Sequence, residues 1–137
     1  MSPEQLLGEL ESEGDILVCD LEAGVGTLLR LQPGSADVVL VVVNPTVKSI
    51  EGGRRAVEIA SERAPVIVIA NRIRDGDDFR SIAQAFPSQE IVMVPEDESI
   101  SHADEEGIAP IDANPGGPGV SAIAALAAQL ADESSKR

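Results

Sequence analysis

The stretch that organises the chain reads Gly14-Asp15-Ile16-Leu17-Val18-Cys19-Asp20-Leu21-Glu22-Ala23-Gly24-Val25-Gly26. An apolar run is followed there by two acids and a glycine-rich turn. Apolar residues without polar alternation are typical of a parallel strand that helices cover on both faces. We therefore predict a strand over residues 15–20. Because ligands of open α/β sheets bind beyond the carboxyl ends of the strands, Asp20, Glu22 and Gly24 are the first candidate site residues.

The rest of the sequence alternates between strand and helix patterns. Further strands are predicted over residues 37–43, 65–70 and 90–94, and helices over residues 47–63, 78–86, 99–106 and 119–131, with a short helical turn within 25–31. This alternation predicts a three-layer α/β/α domain with a mostly parallel, doubly wound sheet of about four strands. The domain should comprise residues 1–131, and residues 132–137 should form a flexible tail.

Three short segments lie at or just after the ends of predicted strands. They are Asp20-Leu21-Glu22-Ala23-Gly24, Asn71-Arg72-Ile73-Arg74 and Val94-Pro95-Glu96-Asp97. Together with the strand over residues 37–43, they resemble the MinD/ParA-like P-loop ATPases of the SIMIBI class. The resemblance runs over nearly the whole chain and is closest to the CooC-type branch, which is associated with the maturation of nickel enzymes.

The resemblance assigns expected roles to these segments. In the CooC-type branch the first one reads Asp-Thr-Glu-Ala-Gly and holds the Walker B aspartate and the switch II glycine. It implies that Asp20, Glu22 and Gly24 are a Walker B and switch II remnant, in which Asp20 would hold Mg²⁺ only together with a nucleotide. In the family the other two segments flank the adenine. The resemblance therefore implies that the base-binding remnant consists of Asn71, Arg72 and Pro95.

The phosphate loop of the family has no counterpart in this sequence. The family carries it, with its lysine, ahead of the Walker B strand. Lys48 and Lys136 are the only lysines here, and neither follows a glycine, so no G-x-x-x-x-G-K-[ST] motif can be written. The glycine-rich stretch over residues 114–121 has no lysine, and its prolines remove N–H donors. We interpret it as a structural loop, and we expect a chain that lacks the amino-terminal P-loop half.

A missing phosphate-loop strand affects how the sheet is built. In the family this strand lies between the Walker B strand and the strand that matches residues 37–43. One solution is direct pairing of residues 15–20 with residues 37–43 through a right-handed crossover, which we favour because an apolar gap promotes aggregation. The other solution is a strand from outside, either from a separately encoded P-loop half or from a swapped copy of this chain.

Two hypotheses for function follow. The first is a degenerate, non-catalytic binding or regulatory module, because phosphoryl transfer depends on the loop amides, the lysine and Mg²⁺. Such a chain would need no cofactor, would not hydrolyse ATP alone and could form a homodimer. The alternative is the carboxyl-terminal half of a split ATPase, which would bind ATP or ADP and Mg²⁺ only with a P-loop-containing partner. A phospho-signalling receiver module is disfavoured because no lysine stands at the end of a later strand.

Composition limits the partners. The net charge of -14 over 137 residues argues against nucleic acid, which needs a basic face. No apolar run approaches the ~20 residues of a membrane helix, so we expect a cytoplasmic protein without a membrane partner. The charge is also unevenly distributed, since residues 1–29 contain seven acids and no base, whereas eight of the ten basic residues lie between Arg30 and Arg80. Such polarity can steer a partner, although we favour solvation or a low-lysine adaptation to high salt as its explanation.

Overall fold

Strands and helices alternate in the computed structural model, which describes residues 16–21 and 26–135. The elements are α1 (Gly26–Leu29), β1 (Val39–Val43), α2 (Val47–Ser61), β2 (Val66–Ile73), α3 (Gly76–Ala85), β3 (Glu90–Pro95), α4 (Glu98–Glu106), α5 (Pro110–Ala113) and α6 (Pro118–Ser135). Each predicted helix from residue 26 onward is present within a few residues of its expected bounds. The helix α5 was not predicted, and α6 continues through residues 132–135, which the sequence analysis placed in the tail.

The three strands form one parallel sheet in the order β1-β2-β3. Val41 of β1 lies beside Val68 of β2, which lies beside Ile91 of β3. Consecutive parallel strands need crossover helices, and α2 and α3 provide them. Within the described residues no strand pairs with the outer side of β1, so β1 is an edge of the sheet.

The predicted strand over residues 15–20 is wrong for the part of it that the structure describes. Residues 16–20 have no regular secondary structure and are exposed, with 91% of Val18 open to solvent. An apolar run becomes a strand only where a neighbouring strand satisfies its backbone groups, and no described part of the chain pairs with this run. The sheet therefore has three strands instead of four, and the expected direct pairing with β1 is not present.

The main core lies between the sheet and the helices α2 and α3. It consists of the buried residues Val41, Val43, Val57, Val68, Ala70, Ile73, Ile82 and Phe86. Helix α2 approaches β1 closely at Gly53, where an added Cβ would lie 2.6 Å from Cγ2 of Val43. A side chain at this position would push the helix off the sheet, so the absence of one at Gly53 permits the close packing of α2 on β1.

The opposite face of the sheet is covered by α6. Ile67 and Ile69 of β2 and Val94 of β3 pack there against Leu126 of α6. Helices on both faces give the expected three-layer α/β/α architecture. None of the helices in the described parts of the chain is long and apolar enough to cross a membrane.

Candidate functional site

The carboxyl ends of the three strands meet along one edge of the sheet, as parallel pairing requires. Asn44 follows β1 directly, Asn71 lies near the end of β2, and Pro95 ends β3. The side-chain amide of Asn71 donates a hydrogen bond to Oδ1 of Asn44, with 3.3 Å between the two atoms. This amide pair, which is partly buried, joins the ends of the two strands.

Asn44 is held by the first turn of α2. Its backbone N–H donates to Oγ of Ser49 at 2.9 Å. The N–H of Ser49 in turn donates to Oγ1 of Thr46, which caps the helix at 3.2 Å. Sequence reasoning did not choose Asn44 as a site residue. The available signal was its position directly after an apolar strand.

Asn71 and Arg72 lie within β2, although the sequence predicted that the strand would end before them. The register with β3 shifts between Ala70 and Ile73. Arg72 has φ of 58° and is exposed, a backbone conformation that residues other than glycine adopt rarely. Strain of this kind is often retained where a side chain must be presented to a ligand. The structure thus places Arg72 at the surface of the carboxyl-terminal edge of the sheet.

The neighbouring Arg74 is engaged in an ion pair. Its backbone N–H and its Nε both lie 3.0 Å from Oδ2 of Asp78. These hydrogen bonds from Arg74 hold the pKa of the Asp78 carboxyl below its usual value and raise the pKa of Arg74. Arg74 is therefore less available to a ligand than Arg72.

Beyond β3, the carboxylate of Asp97 links two helices. Its Oδ1 accepts hydrogen bonds from the hydroxyl and the backbone N–H of Ser99 at the start of α4. Its Oδ2 accepts from the backbone N–H groups of Gly119, at 3.0 Å, and Val120, at 3.3 Å, in the first turn of α6. The hydroxyl of Ser99, followed by these backbone donors, lowers the pKa of Asp97.

Two glycines allow the start of α6 to lie against this carboxylate. A Cβ on Gly117 would overlap Oδ2 of Asp97, and one on Gly119 would lie 2.8 Å from Cβ of Asp97 and 3.0 Å from the carbonyl oxygen of Pro95. The glycine-rich stretch over residues 114–121 is thus a close packing contact, which agrees with its interpretation as a structural loop.

The expected Walker B remnant is described only in part. Asp20 is exposed and forms no hydrogen bond or ion pair with another described residue. Glu22 and Gly24 lie outside the described residues. Within residues 16–21 and 26–135 there is also no group of three or more His, Cys, Asp or Glu side chains placed to hold a metal ion.

The strand ends therefore present amide and backbone groups beside one exposed guanidinium. An asparagine amide carries two N–H donors and a carbonyl acceptor, and a flat heterocycle presents a matching mixture of donors and acceptors along its edge. Asn44, Asn71, Arg72 and Pro95 lie at or near the carboxyl ends of the three strands, and the structure joins two of them, Asn44 and Asn71, by a hydrogen bond.

Comparisons with known proteins find similarity both in sequence and in structure. A protein of Methanocaldococcus jannaschii described as an uncharacterized ATP-binding protein is 29% identical over 132 residues, which cover 93% of this chain and 50% of that protein. The MinD cell division protein of Aquifex aeolicus has a similar structure, with a TM-score of 0.59 and 28% identity over 70% of this chain and 44% of the other. The chain thus spans about half the length of these relatives. No family model matches it.

Proposed function

The chain has a MinD/ParA-like P-loop fold, and on this premise we propose that it is a non-catalytic binding or regulatory module of that fold. We place it nearest to the CooC-type branch, on the basis of Asp20-Leu21-Glu22-Ala23-Gly24. In this proposal the chain alone has no cofactor and no ATPase activity.

The observation that carries the proposal is the contact of Asp97 with the start of α6. A helix start binds phosphate through free backbone N–H groups. Here the N–H groups of Gly119 and Val120 already donate to Asp97. A bound phosphate would have to displace this carboxylate, and no lysine follows a glycine in the sequence to offset the cost. The sequence contains no phosphate loop with a lysine to supply the charge stabilisation that phosphoryl transfer needs.

Any affinity of the isolated chain for a nucleotide should then come from the base. Asn71, Arg72 and Pro95 are the residues that we assign to this contact, and the hydrogen bond between Asn71 and Asn44 supports the assignment by fixing one amide at the strand ends. An exposed site of this kind should bind weakly. We expect a dissociation constant on the order of 1 mM for adenosine, and a similar value for ATP with Mg²⁺.

Nuclear magnetic resonance titration with adenosine, ADP and ATP tests this proposal. We expect the three ligands to shift the same resonances with similar affinity, and Asn71→Ala to weaken all three. Gln84→Ala, an exposed amide on α3, is the matched control and should change nothing. An ATPase assay completes the test. Steady hydrolysis by the purified chain that is lost in Asp20→Ala would overturn the proposal.

A second candidate is favoured by the open edge of β1. Such an edge can accept a strand from another protein, so the chain could be the carboxyl-terminal half of a split ATPase that binds ATP and Mg²⁺ with a P-loop-containing partner. To test this candidate, this chain would be mixed with a P-loop half encoded by a neighbouring gene, and ATP turnover by the mixture would be measured. Turnover that depends on Asp20 would favour the candidate, and a mixture no faster than background would eliminate it.

The remaining assignments rest on composition. We propose a cytoplasmic location because the sequence contains no run of the length that a membrane helix requires. The net charge of -14 opposes binding to nucleic acid. The partner is therefore expected to be a second copy of this chain or a P-loop protein.

A further inference from the structure

Along the outer edge of β1 no strand of residues 16–21 or 26–135 pairs with the backbone, and apolar side chains are exposed. The N–H of Val39 donates to the carbonyl of Pro65 at 2.9 Å, so the backbone of Val39 faces β2. Because this direction alternates along a strand, the N–H and C=O groups of Leu40 and Val42 face the open edge. The side chains of the same two residues are 38% and 60% exposed. An edge of this kind is ready to pair with another strand.

A groove runs along this edge between β1 and α2. Val41 and Val42 form one wall, and Gly52 and Ala56 of α2 contribute to the other. Lys48 and Arg55 lie at the same groove, and both are exposed. Neither cation forms an ion pair with any residue in the described part of the chain. The groove is therefore lined mostly by apolar residues and glycines, together with Thr46 and Ser49, and it carries two positive charges at its rim.

The chain also carries an exposed segment with the complementary pattern. Residues 16–19 are Ile-Leu-Val-Cys, with an acid directly before them and another directly after them. The side chains of Ile16, Leu17 and Val18 are exposed in the structure. An exposed apolar run of high β-propensity is a liability unless it is paired.

We propose that residues 16–20 of a second copy of this chain bind in the groove as a strand added to the edge of β1. The five residues of the segment match the five residues of β1. Side chains alternate between the two faces of a strand, so Ile16, Val18 and Asp20 of the segment lie together on the side of α2. Ile16 and Val18 then fit the groove, and Asp20 meets Lys48 or Arg55 at its rim.

Charge favours this occupant. At a net charge of -14, two copies repel each other, so a stable contact must bring opposite charges together. The groove lies within the region of the sequence that holds eight of the ten basic residues, whereas residues 1–29 have seven acids and no base. The exchange is also reciprocal. Each copy has this groove and this segment, so a two-fold symmetric dimer uses both and covers the β1 edge of each sheet.

The inference does not depend on nucleotide binding, because no residue of the strand-end site takes part in it. Sedimentation velocity of the full chain over a range of concentrations tests it directly. We expect the wild-type chain to form a dimer that dissociates on dilution. A wild-type chain that stays monomeric at every concentration would overturn the proposal and would leave the edge to another protein.

Two lysine substitutions separate the roles of the segment and the groove. Val18→Lys disrupts the segment and Val42→Lys disrupts the groove, and each should raise the dimer dissociation constant by at least roughly tenfold. Mixing the two variants should restore dimers, because the intact segment of one copy fits the intact groove of the other. A mixture that remains monomeric would contradict the exchange and would indicate that the segment binds to its own chain.

The control is Ile111→Lys, which places the same charge on another exposed apolar residue. This variant should dimerise like the wild-type chain, and circular dichroism should show that all three variants remain folded. A second pair of variants tests how much the charges at the groove contribute to the stability of the dimer. Lys48→Glu should weaken the dimer, whereas Arg54→Glu, which makes the same change in net charge outside the groove, should weaken it less. Equal effects would contradict the pairing of the rim cations with Asp20 of the segment.

Discussion

The carboxylate of Asp97 accepts a hydrogen bond from the backbone N–H of Gly119, 3.0 Å away, across a separation of 22 residues. The other oxygen of the same carboxylate accepts from the N–H of Ser99. One side chain therefore caps the first turns of α4 and α6 and holds both beside the end of β3. This contact positions the last helix, and it also uses the N–H groups that an external anion would need.

Replacing Asp97 with alanine should destabilise the fold. Asp97→Ala leaves three N–H groups without their acceptor, that of Ser99 in α4 and those of Gly119 and Val120 in α6. Both helices therefore lose a cap. We expect the melting temperature to fall by roughly 3–6 °C. Asp104→Ala, which removes an exposed acid from the same α4, should change it little. Equal shifts for the two variants would refute the capping role.

The stability that Asp97 provides should depend on pH. Its hydrogen bonds hold its pKa below the ordinary value of 3.8. A lowered folded-state pKa contributes stability that is fully present above the unfolded-state pKa and is lost as the pH falls through the folded-state pKa. The difference in unfolding free energy between wild type and Asp97→Asn should therefore be constant above about pH 5 and shrink below it. Urea unfolding at several pH values measures this difference. A difference that stays constant in acid would argue against a stabilising role of the ionised Asp97 carboxylate.

Gly53 and Gly52 are neighbours in α2 with opposite expected responses to alanine. The Cβ of Gly53→Ala would lie 2.6 Å from Cγ2 of Val43 in the core, and such overpacking costs about 1–3 kcal/mol. Nothing lies within 4 Å of a Cβ at Gly52, so Gly52→Ala should stabilise the helix by up to about 1 kcal/mol. Chemical denaturation of both variants measures the change in the free energy of unfolding that each substitution causes. Similar values for the two would mean that α2 can shift away from the sheet.

Arg63 holds the segment between α1 and β1 against the end of α2. Its Nε donates to the carbonyl of Leu31 at 3.1 Å and its Nη1 to the carbonyl of Ile59 at 2.7 Å. Only 17% of the side chain is exposed, so these bonds are partly shielded from water. Arg63→Ala should lower the unfolding free energy by about 1–3 kcal/mol. Arg54→Ala, an exposed arginine on the same helix, should change it by less than about 0.5 kcal/mol, and an equal loss there would contradict the prediction.

Local patterns were sufficient for most of the architecture. The apolar run before Asn44 and the apolar pattern after it predicted β1 and its following helix. The same reasoning predicted β2 and β3, although β2 continues through Asn71 to Ile73. These features depend on residues that are near one another in the chain. The spacing of the apolar residues is enough to indicate which face of an element is buried.

Features that depend on distant partners were decided by the tertiary structure. Residues 16–20 have the composition of a strand, yet they are exposed, because a strand exists only where a neighbour satisfies its backbone. The amide contact of Asn71 with Asn44 and the capping of α6 by Asp97 join residues 27 and 22 positions apart. No local pattern encodes them, since each hydrogen bond requires that two separate elements have already packed in place.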